Sequence, residues 1–226
     1  MSARGLFVTG TDTGVGKTRV AVALIQALRA HGLRVAAMKP VSAGSAPGEL
    51  NEDVLALLQA SNVAADVHDV NPYAFAEPIA PHIAAELAGV RIDLDVIAAA
   101  YSRLAAKADV VVVEGAGGWR VPLNEREDMA DLARRLGLPV VLVVGMRLGC
   151  LSHALLTVES IASRQVPWAG WVANHVDPVM ACQAENVAFL HVRLPGPCLG
   201  VQGFLEGGVT PPTSQQWLTL PEELVS

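Results

Sequence analysis

The stretch GTDTGVGKT, Gly10–Thr18, decides how the rest of the chain is read. A phosphate-binding loop has the form G-x-x-x-x-G-K-[ST]: the backbone cradles phosphates, the lysine reaches the terminal ones and the hydroxyl meets Mg2+. Gly16, Lys17 and Thr18 supply the closing half, but the first glycine's place falls on Thr11 and the glycine stands one step earlier, at Gly10. The loop follows the apolar run Leu6–Val8, and GKT opens a stretch rich in Ala, Val and Leu. That strand–loop–helix order is the context the motif needs, because a helix N-terminus carries unpaired N–H groups and a partial positive charge. A glycine-rich turn with an exposed lysine is the bland alternative, and the flanking elements weigh against it. The added residue lengthens the loop without removing the parts that touch phosphate. Asp12 stands where partner-regulated switch ATPases carry a second lysine, which argues against that class.

Outward from the loop, four further short apolar runs alternate with longer helical patterns: RVAAMKP from Arg34, DVVVVEG from Asp109, PVVLVVG from Pro139 and WAGWVAN from Trp168. A weaker one, CLGV, begins at Cys198. The runs VVVV and VVLVV lack polar alternation, as in strands covered on both faces. Helices are predicted over 16–30, 49–60, 94–107, 128–136, 151–164 and 179–190. This order implies right-handed crossovers and an α/β fold, a mainly parallel sheet with helices on both faces in one domain over residues 1–226. Ligands in such sheets lie beyond the carboxyl ends of the strands. The residues that follow the runs are the loop itself, Lys39, Glu114 and Asn174, so separate segments deliver polar groups to one edge.

Composition narrows the classes. Hydrophobic residues make up 52% of the 226 and aromatic ones 4%, so Ala, Val and Leu must build the core. Sixteen basic against 22 acidic residues give a net charge of −6 with no Lys/Arg cluster, which disfavours a nucleic-acid or anionic-membrane surface. Cys150, Cys182 and Cys198 share no paired spacing and read as reduced thiols. No stretch resembles a signal peptide or approaches a membrane span. The expectation is a cytoplasmic protein.

Individual residues carry two readings each. Glu114 opens EGAGGW, whose glycines let another backbone approach; it reads as a Mg2+ ligand or as a solvated carboxylate. Asp53, in ELNEDVLALL, reads equally as a metal ligand and as a first-turn acid favoured by the helix dipole. Lys39, in MKPVSAG, neutralises ligand charge or snorkels, and Ser42 donates to a ligand or makes the turn. The segment VNPYAFAEPIAPHIAA, Val70–Ala85, is a proline-rich ordered loop, either a cover or a rigid connector, with His82 a packing or capping residue. In GCLSHALLT, Ser152 is a candidate N-cap, and the free N–H groups around Gly149–Ser152 could take a carboxylate. Nothing beside Cys150 makes it a nucleophile.

Taken together, GTDTGVGKT, MKPVSAG, NPYAFAEPIAPH, VVVEGAGGW, VVGMRLGCLSHALLT and GWVANHV strongly resemble dethiobiotin synthetases, in order from Phe7 to about Gly200. The resemblance implies a P-loop NTPase-like fold and an ATP-dependent ring closure of 7,8-diaminononanoate with CO2, through a carbamate and a carbamic–phosphoric anhydride. It implies Mg2+ on Thr18, Asp53 and Glu114, with Lys17, Lys39 and Thr13 catalytic. Nucleotide contacts would come from Gly14–Arg19 (Gly14, Val15, Gly16, Lys17, Thr18 and Arg19), Asp53, Glu114, Gly115, Ala116, Gly117, Asn174, His175, Gly203, Phe204 and Leu205. Substrate contacts would come from Thr13, Lys39, Ser42, Ala43 and Gly118, and from Gly149, Cys150 and Ser152 of the other subunit of a homodimer. Three positions depart from the family pattern: Ala43 where a hydroxyl is common, Gly203 where a proline is common, and Gly14 where some members are acidic. The 226 residues leave no room for the glutaminase domain of cobyrinate amidotransferases.

Overall fold

The computed structural model describes residues 4–45, 48–205, 217–221 and 224. The remainder of the predicted 1–226 domain, including 206–216 where the family likeness has faded, lies outside the described residues. The strands are β1 (Arg4–Gly10), β2 (Val35–Met38), β3 (Val41–Ala43), β4 (Tyr73–Phe75), β5 (Val110–Glu114), β6 (Val140–Met146), β7 (Trp168–His175) and β8 (Cys198–Gln202). The helices are α1 (Lys17–Ala30), α2 (Glu52–Ala60), α3 (Val67–Val70), α4 (Pro81–Leu87), α5 (Leu94–Ala105), α6 (Met129–Leu136), α7 (Cys150–Ser163) and α8 (Gln183–Arg193).

Six strands form one sheet in the order β2-β5-β1-β6-β7-β8, each neighbouring pair parallel. The unbroken valine runs follow from what covers them. In β5, Val110 and Val112 join a cluster with Leu24, Ile25 and Leu28 of α1, while Val111 and Val113 join one with Ile97 of α5 and Leu132 of α6. All four are fully buried, and each side chain contributes roughly 1.5–3 kcal/mol of hydrophobic stabilisation. Along β6, Val141 and Val143 face α1 as well, whereas Leu142 and Val144 share a third cluster with Ala154 of α7 and Leu190 of α8. A strand between two helical layers has no face on which a polar residue could be hydrated.

Topology sets the position of the ligand crevice. β1 is central, and the chain leaves β5 on one side of it to enter β6 on the other. The carboxyl end of β1, where Gly10–Thr18 begins, is therefore the switch point at which parallel sheets open a crevice.

The proline-rich segment differs from the loop expected of it. Tyr73–Phe75 pairs in parallel with Val41–Ala43 as a separate two-stranded sheet, and Pro81 starts the helix α4 as its first residue. Proline suits that position because its missing N–H would have been unpaired there. Three helix starts are corrected too. The N-cap of α7 is Gly149, with φ 96° and no side-chain cap, so Ser152 lies inside the helix. α8 begins at Gln183 rather than near Val179, after Cys182 in a left-handed conformation. α2 starts at Glu52 rather than Glu49, capped by the Asn51 side chain, which accepts from the Asp53 N–H.

Candidate active site

The displaced glycine of the loop has a local cause. The Thr11 N–H donates to the Val143 carbonyl at 3.0 Å, and its Oγ1 accepts from the Gly145 N–H at 3.2 Å. A side chain at position 11 thus ties the loop to β6, which a glycine could not do. Val15 is buried between two glycines: a Cβ at Gly10 or at Gly145 would stand 2.6 Å from a Val15 methyl. Gly14 (φ 72°) and Gly16 (φ 88°) are left-handed, a conformation other residues adopt only with strain. A Cβ at Gly16 would stand 2.1 Å from Asn174 Nδ2, which is pinned by donating to the Val15 carbonyl at 2.8 Å. The end of β7 therefore holds the loop from the opposite side. Lys17 Nζ donates to the Asp12 carbonyl at 3.0 Å, and burial, together with the nearby Lys39 charge, pulls its pKa down to about 8. The Asp12 carboxylate accepts the Thr13 N–H at 2.7 Å and pairs with Arg147 from the β6–α7 connection.

Beneath the loop lies a compact polar cluster. Thr18 Oγ1 is 2.6 Å from Asp53 Oδ1 and 2.9 Å from Glu114 Oε1. Lys39 Nζ donates to Asp53 Oδ2 at 2.9 Å and to Glu114 Oε1 at 2.5 Å. Burial pulls the Lys39 ammonium down, but the two carboxylates more than offset it, so its pKa stays above the usual value. Asp53 is pushed up by burial, and the Lys39 charge and the Lys39 and Thr18 hydrogen bonds outweigh this to leave it below the usual carboxylate range. Glu114 is fully buried, and burial dominates over Lys39 to raise its carboxyl. Its Oε2 has no hydrogen-bond partner among the described residues.

That unpartnered buried oxygen, beside a second carboxylate and a hydroxyl, fits a small hard cation, which takes oxygen donors. Among the described residues no three His, Cys, Asp or Glu side chains form a metal cage of their own. Mg2+ does not require one, since it completes its shell with waters and substrate phosphates. Thr18, Asp53 and Glu114 are thus the group that would hold it.

Two adjoining cavities open from the cluster. The larger, about 700 Å³, has Thr13, Lys17, Thr18, Lys39, Asp53 and Glu114 on its polar side and Val41, Pro78, Ile79, Pro81 and Val121 on its apolar side. Ser42, Ala43, Ala116 and Gly117 also line it, among others. The smaller, about 360 Å³, is lined by Gly14, Gly16, Thr18, Arg19, Asp53, Asn174, His175, Phe204 and Leu205, among others. Asn174 Oδ1 is buried and unpartnered, and burial lowers the pKa of His175.

Other expected residues stand apart from the cavity walls. Val15 is a buried plug, and Gly115 packs against Phe7 and Met129. Gly118 approaches the loop backbone, its built Cβ lying 3.7 Å from the Gly10 and Thr11 carbonyl oxygens. Gly203 lines neither cavity and accepts from the Gln202 side chain at 3.2 Å. Gly149, Cys150 and Ser152 also line neither; the Cys150 side chain is buried among the β6–α7 residues and its N–H donates to the Arg147 carbonyl. Asn71 escaped the sequence reading. Its Oδ1 accepts the Ser42 hydroxyl at 2.8 Å and its Nδ2 donates to the Lys39 carbonyl at 2.7 Å, fixing the strand end that carries Lys39. The Asn-Pro pair in NPY signals only a local bond, which the Nδ2 donation to the Tyr73 carbonyl at 3.1 Å satisfies, and gives no sign of the two long-range ones.

A parallel sheet with a glycine-rich loop at its switch point, a loop lysine and hydroxyl, and strand-end carboxylates defines a P-loop nucleotide-binding protein. Residues 4–201 match the AAA domain family model. The septum site-determining protein MinD complexed with Mg-ADP from Pyrococcus horikoshii has a similar fold, with a TM-score of 0.53 over 88% of this chain and 80% of that one, at 16% identity. Sequence relatives are nearer. The ATP-dependent dethiobiotin synthetase BioD of Nitrosospira multiformis is 56% identical over 88% of this chain and 87% of its own. That of Aromatoleum aromaticum is 54% identical over 90% and 92%. The chain belongs to the dethiobiotin synthetase family.

Proposed function

We propose that this chain is an ATP-dependent cyclo-ligase of biotin biosynthesis that converts 7,8-diaminononanoate, CO2 and ATP into dethiobiotin, ADP and phosphate. The observation that carries the reading is the Lys39–Asp53–Glu114–Thr18 cluster, which lines a cavity together with the apolar side chains of Val41, Pro78, Ile79, Pro81 and Val121. A substrate with two amines on an aliphatic chain matches those two surfaces.

One amine nitrogen attacks CO2 and loses a proton to give a carbamate. A carbamate oxygen attacks the γ-phosphorus and ADP leaves, forming a carbamic–phosphoric anhydride. The second amine then attacks the carbonyl carbon, phosphate departs, and the cyclic urea closes. Phosphoryl transfer of this kind depends chiefly on positioning and charge neutralisation. Lys17 reaches the terminal phosphates, Lys39 meets the charge shared by carbamate and phosphoryl oxygens, and Thr13 with the Gly117–Gly118 backbone faces the carbamate. Mg2+ on Thr18, Asp53 and Glu114 would supply further neutralisation of the phosphate oxygens. Ser42 is already bonded to Asn71, so it steadies the loop, and a substrate hydrogen bond from it would have to share that hydroxyl.

The smaller cavity takes the nucleotide base. Asn174 Oδ1, whose amide nitrogen is committed to Val15, presents an acceptor suited to the exocyclic amine of adenine, with Phe204 and Leu205 alongside. The Gly149–Ser152 helix start serves a substrate carboxylate in the partner of a homodimer. In support, it lines neither cavity of its own chain, and Leu148 beside it is 95% exposed. One synthetase domain spans residues 1–226. No described helix is long and apolar enough to cross a membrane, and the three free cysteines accord with a cytoplasmic protein.

The test is the coupling of ADP release to the diamine. With MgATP and bicarbonate present, ADP release should require 7,8-diaminononanoate. Equal release without it would contradict the ligase and favour a nucleotide switch.

A further inference from the structure

The position of Lys39 bears on how the site takes its metal, on the reading of Thr18, Asp53 and Glu114 as the metal site. The Lys39 ammonium is itself bonded to the carboxylates of that site. Nζ bridges Asp53 Oδ2 at 2.9 Å and Glu114 Oε1 at 2.5 Å, and Thr18 Oγ1 contacts the same two carboxylates. The Lys39 side chain is 5% exposed and that of Glu114 1%. The Asp53 side chain is 41% exposed while Glu114 is not, and two carboxylates that share Thr18 and Lys39 as partners repel each other unless a cation lies between them. In this arrangement the protein supplies that cation itself.

We propose that Lys39 is the built-in counter-ion of the divalent-cation site: with no metal bound it holds Asp53 and Glu114 together, and entry of a divalent cation displaces its ammonium into the larger cavity. Lys39 lines that cavity beside Thr13 and Lys17, so the displaced ammonium arrives where the reacting groups meet. Two consequences follow from charge alone. A divalent cation must compete with a tethered ammonium for both carboxylates, so the free protein binds it weakly. The lysine becomes available to substrate only once the metal site is filled, which links loading of the site to its readiness for phosphoryl transfer. The buried Glu114 Oε2, which Lys39 leaves unpartnered, explains why the lysine is an incomplete substitute that a cation can replace.

The experiment titrates the nucleotide-free protein with Mn2+ alone and follows free Mn2+ by electron paramagnetic resonance, comparing wild type with Lys39→Met and Lys39→Arg. Lys39→Met removes the charge and keeps the chain length; it should bind Mn2+ about tenfold more tightly or better, because a competing cation is gone. Lys39→Arg keeps the charge and should bind as weakly as wild type. Thermal unfolding of each variant supplies a second readout. Lys39→Met should melt lower than wild type without metal and recover when Mn2+ is added, whereas wild type should shift little. Equal or weaker Mn2+ binding by Lys39→Met, or tight binding by Lys39→Arg, would overturn the proposal. Failure of the metal reading itself is distinguished by Asp53→Asn and Glu114→Gln: if wild type with ADP binds Mn2+ no better than those variants do, the site is not a metal site.

Discussion

Lys39 and Gly16 show how much of the site rests on single atoms. Lys39→Ala should lower kcat on the order of 100-fold, the scale of losing one preorganised charge contact, while the KM for ATP changes little. Steady-state kinetics with ATP and diamine varied separately decide this, and near-normal kcat would remove Lys39 from the reaction. Gly16→Ala carries a backbone penalty at φ 88° and sets a methyl 2.1 Å from the buried amide of Asn174. It should abolish nucleotide binding by calorimetry and cost about 1–3 kcal/mol of stability in urea unfolding. Undiminished nucleotide affinity would show that the loop tolerates another path. Gly16, Lys17, Thr18 and Glu114 were legible in the sequence because each sits where a strand or loop must end. Asp53 and Lys39 were ambiguous there, since helix dipoles and snorkelling produce the same residues. Asn71 was not legible, because its bonds to the Lys39 carbonyl and the Ser42 hydroxyl join residues about thirty positions away.

At the scale of elements, the β6–α7 corner is the structural surprise. Apolar periodicity fixed both elements within a residue or so of their observed limits, yet said nothing of how the corner grips the phosphate loop. Thr11 bonds to Val143 and Gly145, Val15 packs on Gly145, and Arg147 pairs with Asp12, whose carboxylate orients the Thr13 N–H. The Arg147–Asp12 pair is half-exposed, so it adds only about 0–1 kcal/mol to stability. Arg147→Ala should leave the melting temperature nearly unchanged and lower kcat several-fold by loosening Thr13; a loss of stability without a change in kcat would reverse that assignment. α6 offers the opposite case. Asp128 caps it through the Ala130 and Asp131 N–H groups and receives Arg120 and Arg164. Asp128→Ala should cost about 1–3 kcal/mol in urea unfolding, and less than that would mean the cap is dispensable. Short elements eluded the sequence for a related reason. β3, β4 and α4 are too brief to show a period, and the two strands form because Val41–Ala43, which line the cavity, pair with Tyr73–Phe75.

The whole molecule follows from one repeated economy: small aliphatic side chains let helices close on both faces of a parallel sheet, and the polar groups of the site gather at its carboxyl edge. The doubly covered sheet was readable from VVVV and VVLVV, and the convergence of the loop, Lys39, Glu114 and Asn174 followed from topology. The apolar wall supplied by Pro78–Pro81 and the two-cavity division were not readable, because they depend on how the small second sheet docks. At this scale the thiols provide a test of packing. Cys182 is exposed and Cys150 buried, so a thiol reagent should modify Cys182 in the native protein and Cys150 only after unfolding, as peptide mass mapping would record. Native labelling of Cys150 would mean that the β6–α7 layer opens. The central claim is the reaction itself. Purified protein supplied with MgATP, carbon-13 bicarbonate and 7,8-diaminononanoate should yield dethiobiotin whose mass carries the labelled carbon, with ADP formed in equal amount. ADP without labelled dethiobiotin would contradict the account.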